Sequence, residues 1–228
     1  MGNNPSREGN MTAHCITTAT GTVIDLLQPR AEQIDFVNTV APVLARTARF
    51  GGHLPAGSYS VAQHCVLGVR AIIAETGDIE LARAFLLHDA HEAYLQDMIR
   101  PVQAALAAVV STQLMQHGLN FEVASRTLPA ALEALKDRAD AAIYAAASVA
   151  WPLPRRVREG IKLWDNRMLV AEARQMMNGG GKNTALPNVA PAKLLGRIKV
   201  WPWPDACDAW LETFTDLKLG PVAEFPVA

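Results

Sequence analysis

The sequence predicts a mainly α-helical fold with one small β-ribbon near its start. Three observations lead there. Apolar residues recur at three- and four-residue spacing through much of the chain between residues 33 and 177. Strong helix formers dominate the stretches 101–117 and 129–150. β-Branched residues surround Thr20-Gly21 within HCITTATGTVIDLL, residues 14–27, which reads as a hairpin. Half of the 228 residues are apolar and 19% are charged, an ordinary globular balance. A chain of this length buries one sizeable core, so a single domain is expected over 14–228 behind a disordered polar tail, 1–13.

In order, Gln28-Pro29 breaks the hairpin. Ile34, Val37, Val40, Ala41, Leu44 and Ala48 carry helical spacing over 33–48, with Pro42 marking a kink. RFGGHLPAGSYS, 49–60, is a loop. Ser58 or Ser60 caps a helix over about 60–75, whose stripe is Val61, Cys65, Val69 and Ile72. Asp78 caps the helix that leads to His88. Pro101 opens the helix 101–117, and Gly118 with Asn120 breaks it. After the helical stretch 129–150, Pro152 and Pro154 interrupt. A further helix, 155–177, sets Ile161, Trp164, Met168 and Ala171 on one face and ends at Gly179-Gly180-Gly181. Residues 182–196 read as loop. Arg197 to Val200 read as a strand that pairs with the hairpin. Pro204-Asp205 starts a last helix to about residue 217.

Composition narrows the function. A net charge of −1 leaves no electrostatic footprint for a nucleic-acid polymer. Cys15, Cys65 and Cys207 are odd in number and lack CxxC spacing, which indicates free thiols in a reducing, cytoplasmic setting. No apolar run reaches membrane-spanning length, and MGNNPSREGN lacks a signal-peptide core. Gly2 and Ser6 fit the loose myristoylation pattern, but beside Pro5 the segment reads as plain polar tail.

The chemistry concentrates in LLHDAHEAYLQD, residues 86–97. On a helix, Glu92 lies one turn after His88 and near Asp89. Groups that bind metals or move protons thus meet on a surface that otherwise reads as core. Burying them unpaired would cost several kcal/mol, roughly, which a metal ion or a salt-bridge network offsets. His64 and Asp165 lie on two other helices, each beside apolar residues. Two imidazoles and two carboxylates suit a divalent transition metal: Co, Mn, Zn, Ni or Fe.

At YSVAQHCV (59–66), LLHDAHEAYLQDMIRP (86–101) and IKLWDNRMLVAEAR (161–174) the chain resembles the HD-domain metal-dependent phosphohydrolases. It looks most like the small bacterial and phage branch that contains 5′-deoxynucleotidases and deoxynucleoside triphosphohydrolases. The likeness covers about residues 21–177 and weakens beyond 178. It implies an HD-domain helical bundle, with a metal-site core over about 33–177 and an extension over 178–228. It implies that His64, His88, Asp89 and Asp165 hold the metal. It places Glu92 and Asp97 near the scissile phosphate or sugar, Arg49 and Lys162 on phosphate oxygens, and Phe50 on the base.

His91 stands where that branch usually has a small residue. It can add a ligand, touch the phosphate of the substrate or lie at the surface, and a surface or supporting place is expected. The implied activity is hydrolysis of the 5′-phosphate ester of a small-molecule nucleotide, deoxy rather than ribo, by water attack at the α-phosphorus. Monophosphate and triphosphate substrates both fit. A homo-oligomer is expected. A di-iron HD oxygenase is an alternative, but it calls for metal-binding histidines well downstream of His88, where only His117 stands. A binding module with a structural metal is the other alternative, and it needs neither Glu92 nor Arg49.

Overall fold

The structure, a computed structural model, describes residues 13–220. The expected polar tail lies outside the described residues except for its last position, as does the end of the C-terminal extension. The chain is mainly helical, with one two-stranded antiparallel sheet near the N-terminus. Strands β1 (Cys15–Thr17) and β2 (Val23–Asp25) pair with Ile16 opposite Ile24. Gly21, at φ 82°, supplies the left-handed position of the turn. Ile24 is buried and anchors the ribbon to the core.

The helix expected over 33–48 is interrupted. Asp35 caps a wide turn, Phe36–Val40, through Val37 N and Asn38 N, and only then does α1 (Ala41–Arg46) begin. Pro42 sits in the first turn of α1, where its missing N–H is not needed, so the helix restarts there and does not bend.

Helix α2 (Val61–Thr76) lies at the centre. Ser60 Oγ accepts from Gln63 N at its start, and Gly77, at φ 67°, closes it. Helix α3 (Ile79–Leu87), capped by Asp78, packs on α2 at close range. A Cβ on Gly68 would stand 2.1 Å from Phe85 Cε1. Glycine is therefore required at 68 for steric reasons, not conformational ones.

After Leu87 the structure corrects a second expectation. Residues 88–92 do not continue α3. Ala90 N, Glu92 N and Ala93 N bond to the carbonyls of Leu87, Asp89 and Ala90, a tight i→i−3 pattern that leads into the short α4 (Glu92–Leu95).

Helix α5 (Arg100–Gln116) pairs with α6 (Phe121–Ala146) as a hairpin. Helix α6 starts well before 129. Asn120 accepts from Val123 N, and Pro129 is carried inside the helix, where packing against α5 outweighs one lost backbone bond. Helix α7 (Arg155–Met176) crosses α2 and α3. Helix α8 (Trp203–Asp216) covers α1 and α2 with Trp210, whose ring lies 5.3 Å from that of Phe214 and 6.2 Å from that of Phe36.

The strand expected at 197–200 is not formed. Gln63 Nε2 donates to Lys199 O at 2.7 Å, and Trp201 N donates to Gln63 Oε1 at 3.0 Å. Ile198 N donates to Gln175 Oε1 at 2.9 Å. Two glutamine side chains take the place of a neighbouring strand, so the segment runs over α2 and α7 and does not reach the ribbon. Among the described residues, no helix is long and apolar enough to cross a membrane.

Candidate metal centre

Four elements meet over the buried end of α2. His64 stands one turn inside α2 and is fully buried. His88 and Asp89 follow the end of α3. Asp165 lies midway along α7. Arg49 arrives from the loop before α2, where Arg49 N donates to Tyr59 O and Val61 N donates to Thr47 O. Phe50 and Gly51, at φ 56° and 59°, then turn the chain back. The left-handed position of Phe50 costs about 1–2 kcal/mol, which the surrounding contacts must offset.

The two imidazoles are oriented by their Nδ1 atoms. His88 Nδ1 donates to Phe85 O at 2.7 Å. A carbonyl oxygen only accepts, so Nδ1 carries the proton of that bond and Nε2 is the nitrogen left for the carboxylates. His64 Nδ1 lies 2.6 Å from Glu172 Oε1, which also accepts from the Tyr59 hydroxyl at 2.8 Å. Both Nε2 atoms are buried without a hydrogen-bond partner. They face carboxylates. His88 Nε2 is 3.1 Å from Asp89 Oδ2, and His64 Nε2 is 3.7 Å from Asp165 Oδ1 and 3.9 Å from Asp89 Oδ2. Ligand atoms of His64, His88 and Asp165 lie within 4.8 Å of one another. This donor set fits a divalent transition ion: two imidazoles, each held at Nδ1 by a second partner, plus carboxylates.

Charge supports the same fit. Arg49 Nη1 donates to Asp89 Oδ2 at 3.3 Å, its Nη2 lies 3.6 Å from Asp165 Oδ1, and its Nε lies 3.3 Å from Glu172 Oε2. One guanidinium faces three carboxylates, and a cation offsets the excess. Burial opposes ionisation of Asp89, yet His88 and Arg49 hold it well below the usual carboxylate range. Burial would likewise depress His88, but Asp89 outweighs it and drives the imidazole upward. The pair thus favours a positive charge between its atoms, whether a proton or a metal.

Glu92 behaves oppositely. Burial first, then the Asp89 and Asp97 carboxylates, push it up to about 9. It is 8% exposed, and its Oε2 has no partner. Glu92 is therefore a protonated acid at the edge of the cluster. Asp97 is half-buried and also raised, chiefly by burial.

The other sequence candidates are placed less uniformly. Lys162 is exposed, and Arg100 is the cation found on Asp165, with Nη2 donating to Oδ2 at 3.0 Å. Phe50 is half-buried against an apolar group formed by Leu54, Tyr59 and Met176. His91 does not lie at the surface, and of the two places expected for it burial leaves the supporting one. It is 5% exposed, and its Nδ1 lies 2.9 Å from Asp140 Oδ1 on α6.

Sequence reading missed Glu172, Tyr59, Asp140 and Arg100. For Glu172 a signal existed. It lies two turns after Asp165, on the apolar face marked by Met168 and Ala171. Its full burial makes it the hub of the cluster. Burial alone would raise its carboxyl, but His64, then Arg49 and the bond from Tyr59 hold it at about 2.

Because the folded value is depressed from an ordinary 4.5, Glu172 contributes stability above about pH 4.5 that is lost as pH falls toward 2. At near-neutral pH, Glu172→Gln is expected to cost on the order of 3 kcal/mol. Thermal melts of the metal-free proteins check this: the gap between wild type and variant should be full at pH 6 and should close near pH 2.

Over 70 residues the chain is 41% identical to YfdR, an uncharacterized protein of Escherichia coli strain K12. The match covers 31% of this chain and 36% of that protein, so the chain spans about a third of the length of the relative it matches. No family model matches the chain.

Proposed function

We propose that the chain is a metal-dependent phosphohydrolase of the HD-domain kind, acting on the 5′-phosphate ester of deoxynucleotides. The observation that carries this reading is the pair of buried, unpartnered imidazole Nε2 atoms facing Asp89 and Asp165 beside a guanidinium and a protonated carboxyl. His64, His88, Asp89 and Asp165 would hold the ion. When bound, it supplies charge neutralisation and a water of lowered pKa.

The chain's own residues do the rest. Arg49, fixed by its carboxylates, spreads the charge that shifts onto phosphate oxygens as the ester breaks. Glu92 delivers a proton to the leaving 5′ oxygen as the P–O bond breaks and water's oxygen joins the phosphorus. Asp97 lies close enough to affect Glu92 and would accept from a sugar hydroxyl. A cleft of about 320 Å³ between α5 and α6 runs from Arg100, on Asp165, to Lys136 and Glu133. It offers room and positive charge for the rest of a nucleotide.

The test is a nucleotide panel with added Mn, Co or Zn, followed by phosphate detection and separation of products. Release of nucleoside from deoxynucleotides faster than from ribonucleotides is expected. Monophosphates would leave phosphate, and triphosphates would leave tripolyphosphate. No metal-stimulated cleavage of any nucleotide would sink the proposal.

A further inference from the structure

His91 is not used by this mechanism, yet it is buried in the cluster. One ligand atom from each of Asp89, His91 and Glu92 lies within 4.8 Å of the others. The His91 ring is pinned by Asp140 through Nδ1, which leaves Nε2 buried and unpartnered. Glu92 Oε2 is buried and unpartnered too. An imidazole held by a carboxylate at one nitrogen and free at the other is the arrangement of a metal-binding histidine. His91 and Glu92 thus each keep an orphaned buried polar atom that carries a desolvation cost, and a cation held among the three residues would relieve it.

We propose that Asp89, His91 and Glu92 form a second cation position beside the first, with Asp89 shared between them. This rests on the first position being a metal site. One imidazole and two carboxylates suit Mn, Fe, Co or Zn and leave coordination open for water or phosphate oxygens. The first position draws on two histidines and is the tighter of the two. With the second position filled, Glu92 would serve as a ligand and would no longer carry the proton. With it empty, Glu92 handles the proton itself.

The test titrates the chelator-treated full chain with Mn2+ and follows free Mn2+ by electron paramagnetic resonance. The wild type is expected to bind two ions per chain, with spin coupling between them. His91→Ala should bind one. Asp140→Asn should weaken the second ion about 10- to 100-fold and spare the first. A wild type that saturates at one ion overturns the second position alone and needs no variant, so a misfolded His91→Ala does not protect the proposal. Two ions retained in a folded His91→Ala also overturn it. A wild type that binds no Mn2+, or a folded His88→Ala that keeps its full complement, overturns the first site and this inference with it.

Discussion

His88→Ala is expected to abolish metal retention and activity together. His88 Nε2 sits 3.1 Å from Asp89 Oδ2 and is one of two imidazole donors in the cluster. Its removal leaves His64 as the only nitrogen ligand among carboxylates that Arg49 already engages. The guanidinium would then face less competition for those oxygens. The fold should persist, because Phe85 beneath the ring stays packed in the core. Elemental analysis after dialysis is the check, with Asp89→Ala as the companion variant. Unchanged metal in both would refute the site, whatever happens to activity.

Glu92→Ala should separate binding from chemistry. The carboxyl is not among the groups that would hold the first ion, so that ion should remain, whereas an ion at the Asp89–His91–Glu92 position would be lost with it. Turnover should fall roughly a hundredfold or more, the usual scale for a lost acid–base group. In the metal-free protein a carboxyl raised to about 9 keeps its proton across the neutral range, so a proton is there to give. The removed side chain was also buried without a partner on Oε2, so stability should hold or improve. Steady-state kinetics with metal analysis on the same sample decides it. Near-normal turnover would take Glu92 out of the mechanism.

The candidate ligands His64, His88, Asp89 and Asp165 stood out in the sequence because each sits in or beside a run of apolar side chains, where charge needs a partner. The capped helix starts at Ser60 and Asp78 were legible, whereas the one at Asn120 was read as a break. The rest depended on where the chain departs from ideal geometry. A continuous helix through 88–92 leaves His91 free to face outward. The tight turn after Leu87 brings it instead to Asp140, 49 residues away in sequence. Spacing rules carry no information about such a partner. Glu172 was hidden for a related reason: in Ala171-Glu172-Ala173 it reads as an ordinary helix glutamate, and only the packing of α2 on α7 makes it fully buried. The strand expected at 197–200 failed because side-chain amides satisfy a backbone as well as a neighbouring strand does.

The close approach at Gly68 bears on which parts of this centre are free to change over evolutionary time. Phe85 closes the space over residue 68, stacks on His88 at 4.3 Å between ring centres and lies 5.7 Å from His64. One side chain thus sets both the helix separation and the position of two imidazoles. Any enlargement at 68 or 85 would move both imidazoles at once, so this half of the candidate centre varies as a block or not at all. The opposite wall has no such lock. Asp165 is a quarter exposed and Arg100 more than half. Substitutions therefore have room to accumulate on the α5 and α7 side of the candidate centre, while the histidine side stays as the core made it.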